Sequence, residues 1–231
     1  MTPLISPTDG RPWISCCIAL SADGKISSAT RRPCGWTSAR DHQRLLDLRH
    51  GPQAIIAGRT TVATDKMTMI APGASIQPLR CVVSRSRALP PNHPIFYRPG
   101  GEIHCLFTEN IPNDAPPQAT HHQIQLDAFI RKLHCDLDVN HLHCEGGGEL
   151  IRSLAELNWI DVLHLTLAAH TIFGAANAPT LTGVPGDFLP ASRKFSLVHF
   201  EPAPDHAECY TTWIAAHAQC AASAGLASSS A

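Results

Sequence analysis

The sequence predicts an α/β fold, in which a mixed, mostly parallel sheet carries helices on both faces and ends in an antiparallel hairpin. Short apolar segments alternate with helical patterns along most of the chain, which is typical of a parallel sheet covered by helices. Three late apolar segments follow one another without helices between them, which indicates antiparallel strands. The 231 residues are 44% hydrophobic and 16% charged, so the chain can bury one large core.

The strands are predicted from short apolar runs bounded by turn residues. The first should cover residues 13–20 and lead into a turn at residues 22–25. The other strands are expected at residues 54–57, 80–84, 103–107, 139–144, 162–168, 195–201 and 208–214. The last three follow one another directly, so we expect them to form the antiparallel end of the sheet.

The first two helices are predicted from their capping residues. Ser38 should cap the first helix, with Asp41 three residues later as a capping box. Gly51 suits the end of that helix because glycine readily adopts the conformation that terminates helices. A second, shorter helix should follow the next strand, with Thr60 or Thr61 as its cap.

Two further helices complete the predicted domain. Asp127 should cap the third helix, and residues 149–157 should form the fourth. We expect a single domain over residues 11–216, with a flexible N-terminus at residues 1–10. Residues 217–231 are rich in alanine and serine, so they should form a flexible tail.

Charge and composition disfavour several classes of function. The formal net charge is -1, so the chain has no excess of basic residues with which to bind nucleic acid. The apolar run at residues 14–22 is too short to span a membrane. Nine cysteines are scattered through a chain too long to need disulfides, so we interpret them as reduced thiols of a cytoplasmic protein. His141 and His143 share a strand face, but C-x-x-C and H-x-x-x-H spacings are missing, so we predict no metal site. The expected partner is a small molecule or a second copy of the chain.

The strongest local signal for ligand binding is the glycine run Gly146, Gly147 and Gly148 between a buried strand and a helix. Backbone without side chains lets an anion approach closely, and the N–H groups at a helix N-terminus favour a phosphate there. A tight turn would need only one glycine, so three favour the binding interpretation. The spacing is not G-x-G-x-x-G and no suitably placed acid follows, which disfavours a standard Rossmann site.

Two weaker signals accompany the glycine run. Residues 58–62 form a second strand-to-helix junction, which is either an ordinary helix start or a second phosphate site. Two such junctions in one domain fit the pyrophosphate and ribose phosphate of a dinucleotide. The Asp-Gly turn before Lys25 is either a plain turn or a device that places this cation beside a substrate oxygen or phosphate.

Several motifs occur in a defined order between residues 11 and 183. They are Arg11-Pro12, ALSADGK at residues 19–25, Trp36-Thr37-Ser38 opening a helix that ends in Leu48-Arg49, GRTTVATD at residues 58–65, EGGGEL at residues 145–150, and Phe173-Gly174. In this order they resemble the reductase domain of riboflavin biosynthesis, a relative of dihydrofolate reductase. The resemblance implies a dihydrofolate-reductase-like, three-layer α/β/α fold, NADPH as cofactor, and a homodimer.

The resemblance also implies which residues contact the ligands. Lys25 and Glu145 would be catalytic, orienting the sugar of the substrate and assisting its ring opening by proton transfer. The substrate would further contact Cys34, Arg49 and Met69. The cofactor would contact Ala19, Trp36, Gly58, Thr61, Val62, Asp65, Ser84, Gly146, Gly147, Gly148, Glu149 and Leu150. Alternatively, Glu145 is an ordinary strand-end carboxylate and Arg49 a cation at a helix C-terminus.

The implied reaction is reduction of the ribose of 5-amino-6-(5-phosphoribosylamino)uracil to a ribityl chain. The family carries a phosphate-binding arginine shortly after its equivalent of Asp65, whereas residues 66–71 contain none. Lys66 would replace it only as a point charge. The deaminase domain of bifunctional members does not precede this sequence, so we expect a stand-alone reductase or a paralogue with another substrate. A pterin reductase and a non-catalytic nucleotide-binding protein remain the alternatives.

Overall fold

The described part of the chain forms one nine-stranded sheet with four helices. The computed structural model describes residues 7, 9–31, 35–184 and 186–218. The strands are β1 (Trp13–Ser21), β2 (Ala54–Gly58), β3 (Leu79–Ser84), β4 (Ile103–Phe107), β5 (Thr120–His122), β6 (His141–Cys144), β7 (Val162–Ala168), β8 (Phe195–Ala203) and β9 (Glu208–Ala215). The helices are α1 (Ala39–Leu48), α2 (Arg59–Asp65), α3 (Leu126–Leu137) and α4 (Gly148–Glu156), with short 3-10 turns at Pro94–Phe96 and Pro204–His206.

The topology confirms the predicted mixed, mostly parallel sheet. The strand order is β5-β4-β3-β2-β6-β1-β7-β9-β8. Neighbouring strands from β5 through to β7 are parallel, whereas β9 is antiparallel to both β7 and β8. The carboxyl ends of β1, β2, β3, β4 and β6 therefore meet at one edge of the sheet, and the antiparallel hairpin lies beyond β7.

Alternate residues of the central strands pack into two apolar clusters on opposite faces of the sheet. Ile56 in β2 packs into one cluster and its neighbour Ile55 into the other, as expected where side chains alternate across a strand. Phe129 of α3 and Leu154 of α4 pack into the first cluster, and Val62 of α2 packs into the second. The helices therefore cover both faces, which produces the predicted three layers.

Helix α1 covers polar side chains rather than an apolar cluster. The helix is described in full and has no buried residue, and its Arg44 donates to a carbonyl of β9 at 3.1 Å. In the adjacent strands, Ser15 Oγ lies 2.8 Å from His141 Nε2 and 2.7 Å from His143 Nδ1. Burial lowers the pKa of His143 well below its ordinary value and the pKa of His141 and His164 to about 4. These three rings are therefore neutral at pH 7.

The cap predicted for the first helix is confirmed, and its end lies slightly earlier than predicted. Ser38 Oγ accepts a hydrogen bond from the backbone N–H of Asp41 at 3.1 Å. The C-cap residue is Arg49, so Gly51 follows the helix rather than ending it. The side chain of Arg49 turns into the protein and makes an ion pair described below, which anchors this end of the helix.

Two other predicted helix caps were wrong. The N-cap of α2 is Gly58, because strand β2 runs directly into the helix without an intervening residue, and Thr60 and Thr61 lie inside it. The N-cap of α3 is Gln125, so Asp127 lies in the first turn. Its carboxylate still suits that position because the N-terminal end of a helix carries partial positive charge.

Strand β8 ends two residues later than predicted, strand β6 begins two residues later, and strand β5 was not predicted. Strand β6 begins at His141 rather than at Val139, since the N–H of Val139 donates to Leu133 O and closes the end of α3. Strand β5 was not predicted, because its three residues are polar and lie at the edge of the sheet. Pairing with β4, rather than an apolar pattern of its own, makes this segment a strand.

Candidate active site

The two strand-to-helix junctions predicted to bind phosphates lie against each other at the carboxyl edge of the sheet. The N–H of Gly58 donates to Gly146 O at 2.8 Å. A Cβ atom on Gly147 would lie 2.6 Å from Thr61 Oγ1, so the two junctions are in close contact. Both therefore open into one cleft, as a shared dinucleotide site requires.

The start of helix α4 consists of backbone without side chains. Gly147 is its N-cap, and no side chain in the described ranges caps the helix. Leu150 N donates to Gly147 O at 3.0 Å, whereas the N–H groups of Gly148 and Glu149 precede the first helical hydrogen bonds and remain available to an anion. A Cβ atom on Gly148 would lie 2.3 Å from Gly183 N, so position 148 requires glycine because the facing backbone lies so close.

The cleft follows the carboxyl ends of five adjacent strands. It is lined by Ala19 of β1, Glu145 after β6, Gly58 of β2, Ser84 of β3 and Thr108 after β4. Four strand spacings give a length of about 19 Å. Its volume of about 1290 Å³ exceeds the roughly 300–1,000 Å³ of a typical small-ligand pocket, so the cleft has room for more than one small ligand. Ligands of open α/β sheets bind in this position.

Basic side chains outnumber acidic ones along the cleft. Within the described residues, seven basic side chains line it: Arg31, Arg49, Arg59, Lys66, Arg85, Arg87 and Arg152. Four acidic side chains accompany them: Asp65, Glu109, Glu145 and Glu149. Because the whole chain has a net charge of -1, this positive balance is local to the cleft and attracts anionic ligands.

A buried ion pair joins the end of α1 to the end of β6. Arg49 Nε and Nη2 donate to the two carboxylate oxygens of Glu145 at 2.6 and 2.8 Å. Arg49 Nη1 donates to Ile70 O at 3.0 Å. The side chains are only 7% and 2% exposed, and the paired geometry holds the Glu145 carboxylate in one orientation.

Most of the residues that were predicted to contact ligands line this cleft. They are Ala19, Trp36, Arg49, Gly58, Thr61, Asp65, Ser84, Glu145, Gly146, Gly147, Gly148, Glu149 and Leu150. Burial raises the pKa of Asp65. The structure therefore brings residues of most of the motifs that carry the family resemblance to one site.

Three predicted residues are not among those that line the cleft, and a fourth lies outside the described residues. Val62 and Met69 are fully buried in the second apolar cluster, where their side chains pack into the core and do not reach a ligand in the cleft. Lys25 lies outside the lining formed by the described residues, and its backbone forms an isolated bridge with Thr180. Cys34 lies outside the described residues.

Five arginines of the cleft were not predicted as site residues: Arg31, Arg59, Arg85, Arg87 and Arg152. Arg59 begins α2, and Arg85 and Arg87 follow β3 at the same sheet edge. Their signal was available in the sequence, because basic residues directly after a predicted parallel strand lie at the ligand-binding edge. Cys17 also lines the cleft, and burial raises the pKa of its thiol to about 12.

The described ranges show neither a metal cluster nor a membrane-spanning helix. No three His, Cys, Asp or Glu side chains there are placed to hold a metal ion. No helix in those ranges is long and apolar enough to cross a bilayer.

Known structures share this fold. RibD of Acinetobacter baumannii is 19% identical, with a TM-score of 0.76, and the match covers 90% of this chain and 59% of that one. The riboflavin biosynthesis reductase Rib7 of Saccharomyces cerevisiae is 14% identical, with a TM-score of 0.67 and coverage of 92% and 93%. A dihydrofolate reductase of Enterococcus faecalis is 14% identical, with a TM-score of 0.54 and coverage of 90% and 97%. These matches confirm the predicted dihydrofolate-reductase-like fold.

The family assignment comes from the sequence match rather than from these distant structures. No curated protein sequence matches the chain. The model of the RibD C-terminal domain matches residues 12–204, which is more than half of the chain and includes all of the quoted cleft motifs. This chain belongs to the RibD C-terminal domain family.

Proposed function

We propose that this chain is an NADPH-dependent reductase of riboflavin biosynthesis. It would reduce the ribose of 5-amino-6-(5-phosphoribosylamino)uracil, or of a close analogue, to a ribityl chain. The observation that carries the proposal is the contact between the two junctions, where Gly58 N lies 2.8 Å from Gly146 O in a cleft with a positive charge balance. A structural relative from Thermotoga maritima is named as a reductase of this compound, which supports the choice of substrate.

The residues of the cleft fit a phosphorylated dinucleotide. The side-chain-free backbone at Gly147 and Gly148 would accept a phosphate at the N-terminus of α4. Arg59, Arg85 and Arg87 would balance the charge of the remaining phosphates. When bound, NADPH would supply the hydride that reduces the sugar.

The substrate would occupy the end of the cleft near β1 and the ion pair. Glu145, which Arg49 holds in place through two hydrogen bonds, would accept hydrogen bonds from sugar hydroxyls and orient the reacting carbon. Lys66 lines the cleft and would bind the sugar phosphate as a point charge. Trp36 lines the cleft as well and would exclude water from the reacting groups.

Titration with NADPH, followed by addition of the uracil substrate, tests this proposal. Binding of NADPH should quench the tryptophan fluorescence of the wild-type protein. Addition of the uracil substrate should then cause a loss of NADPH absorbance. Glu145→Gln should bind NADPH normally and lower kcat by about 100-fold or more. Glu109→Gln is a matched control, because this carboxylate also lines the cleft but has no role in the proposed reaction.

The other outcomes identify the alternatives. Failure to bind NADPH would overturn the proposal. Turnover with a dihydropterin but not with the pyrimidine would identify a pterin reductase. Binding without turnover would identify a non-catalytic nucleotide-binding protein, a candidate that the lack of an arginine at residues 66–71 favours.

We also propose a homodimer formed through strand β8. This strand lies at the edge of the sheet, and its Leu197, Val198 and Phe200 are 48%, 51% and 57% exposed. An exposed apolar edge strand is a common docking surface. Light scattering should find a dimer that Phe200→Glu disrupts and that Ile76→Glu, at an exposed loop position, leaves intact.

The expected location and domain extent remain part of this proposal. We propose that the single reductase domain covers residues 11–216 and works in the cytoplasm. The thiols of the described cysteines are free, which suits a reducing compartment.

A further inference from the structure

The segment at residues 171–184, which follows β7, forms one wall of the cleft, and we call it the strap. Pro179, Gly183 and Val184 of the strap line the cleft. At one end, Gly183 packs closely against Gly148 at the start of α4. At the other end, the strap lies against the turn that follows β1. Its position therefore depends on contacts at both ends.

Asp23, in the turn after β1, binds the strap through its carboxylate. Its Oδ2 accepts a hydrogen bond from Gly174 N at 2.9 Å, and its Oδ1 accepts one from Phe173 N at 3.2 Å. Ser21 Oγ donates to the same Oδ1 at 2.6 Å, which holds the carboxylate in place. The hydrogen bond from Ser21, followed by those from the strap, lowers the pKa of Asp23, so it is ionised when it makes these contacts.

The remaining hydrogen bonds between the turn and the strap use backbone atoms. Ala22 N donates to Thr171 O, and Ile26 N donates to Pro179 O, each at 2.9 Å. Within the described ranges, Asp23 is the residue of the turn whose side chain bonds to the strap. Its carboxylate is on the surface, so the contact is separate from the packing of the core.

The strap residue that Asp23 binds also supports a side chain of the cleft. The ring of Phe173 lies edge-on to Trp36, with 5.1 Å between the ring centroids. Trp36 lines the cleft and comes from the loop before α1, so this ring contact connects the strap to a second segment of the cleft lining. Movement of Phe173 would therefore change the shape of the cleft.

We propose that Asp23 is a positioning residue of the active site. Its carboxylate fixes the strap so that Trp36 and Pro179 form a preorganised wall for the bound ligand. The identity of that ligand as NADPH rests on the proposed function, whereas the effect of Asp23 on the wall does not.

Binding and kinetics with Asp23 variants test this role. Asp23→Ala removes all three acceptor contacts and should raise the Kd for NADPH about tenfold, because charged hydrogen bonds that preorganise a site are lost. Asp23→Asn keeps one acceptor oxygen and should have an intermediate effect. Asp114→Ala, at an exposed loop position away from the cleft, is the matched control and should bind as the wild type does. The melting temperature of all three variants should stay close to that of the wild type.

Tryptophan fluorescence provides a readout that does not require NADPH. Asp23→Ala should shift the emission of Trp36 to longer wavelength, because the contact with Phe173 loosens and water reaches the indole. The same substitution in a Trp36→Phe background should leave the remaining emission unchanged, which assigns the shift to Trp36.

The outcomes separate this inference from the proposed function. If the wild type does not bind NADPH, the proposed function fails, and the emission of Trp36 still decides whether Asp23 positions the wall. If the emission is unchanged in Asp23→Ala, the inference is overturned. A changed emission with an unchanged Kd and unchanged kcat and KM would also overturn it, since Asp23 would then shape the loops without positioning the site.

Discussion

The buried ion pair between Arg49 and Glu145 allows a stability prediction worked directly from the structure. Methionine at position 49 fills a similar volume but removes the two bonds to the carboxylate, at 2.6 and 2.8 Å, and the bond to Ile70 O. The Glu145 side chain is 2% exposed, so its charge would be left buried without a partner. Breaking a buried pair from one side costs about 3–5 kcal/mol, and we expect Arg49→Met to lower the free energy of unfolding by that amount.

Urea unfolding monitored by circular dichroism measures this loss. Arg49→Met combined with Glu145→Gln should recover about 2 kcal/mol, because the second change removes the stranded charge. Arg40→Met is a matched control on the same helix, since Arg40 pairs with Glu201 and both side chains are largely exposed, at 46% and 41%. Its cost should stay below about 1 kcal/mol. A loss of less than 1 kcal/mol in Arg49→Met, or a double variant no more stable than the single one, would refute the reasoning.

Two further predictions concern acid stability and the glycine junction. The pKa of His164 falls from 6.5 to about 4 on folding, and that of His143 falls well below 6.5, because both are buried. As the pH falls, these histidines bind protons in the unfolded chain before they do in the folded one. Their full contribution to the free energy of unfolding should therefore be present above pH 6.5 and decline as the pH falls towards about 4. Equal urea midpoints at pH 7 and pH 5 would contradict this. Gly148→Ala would place a Cβ 2.3 Å from the facing backbone, so we expect it to displace the strap and weaken NADPH binding by about tenfold or more, measured by fluorescence titration. Gly186→Ala, with no atom within 4 Å of the added Cβ, should bind normally, and equal affinities of the two variants would contradict the prediction.

The elements that the sequence predicted well are those whose pattern is local. The buried strands β2 and β4 and the cap of α1 by Ser38 depend on neighbouring residues, and the structure has them close to where they were predicted. The elements that were missed depend on distant partners. Strand β5 exists because β4 pairs with it, and Gly58 caps α2 because β2 continues into the helix without a loop.

The site shows the same division between local and distant information. The glycines of residues 146–148 predicted a phosphate-binding junction because their backbone freedom is visible in the sequence, and phosphate binding there stays a prediction. Whether Val62 and Met69 reach a ligand depends on which face of the chain packs into the core, and both pack into it. The catalytic role that the resemblance implies for Lys25 stays a prediction. The bridge between its backbone and Thr180 joins positions far apart in the sequence, so neither segment alone predicts it.

Local patterning was enough to predict an α/β sheet, its hairpin end and a glycine-rich junction between a strand and a helix, because hydrophobic period and backbone freedom are properties of short segments. Tertiary packing decided that two junctions far apart in the chain share one cleft, and that Arg49 holds Glu145. It also decided that the Asp23 carboxylate accepts hydrogen bonds from the strap. Each of these contacts joins segments that the order of strands in the sheet brings together. The sequence of a single segment does not encode that order.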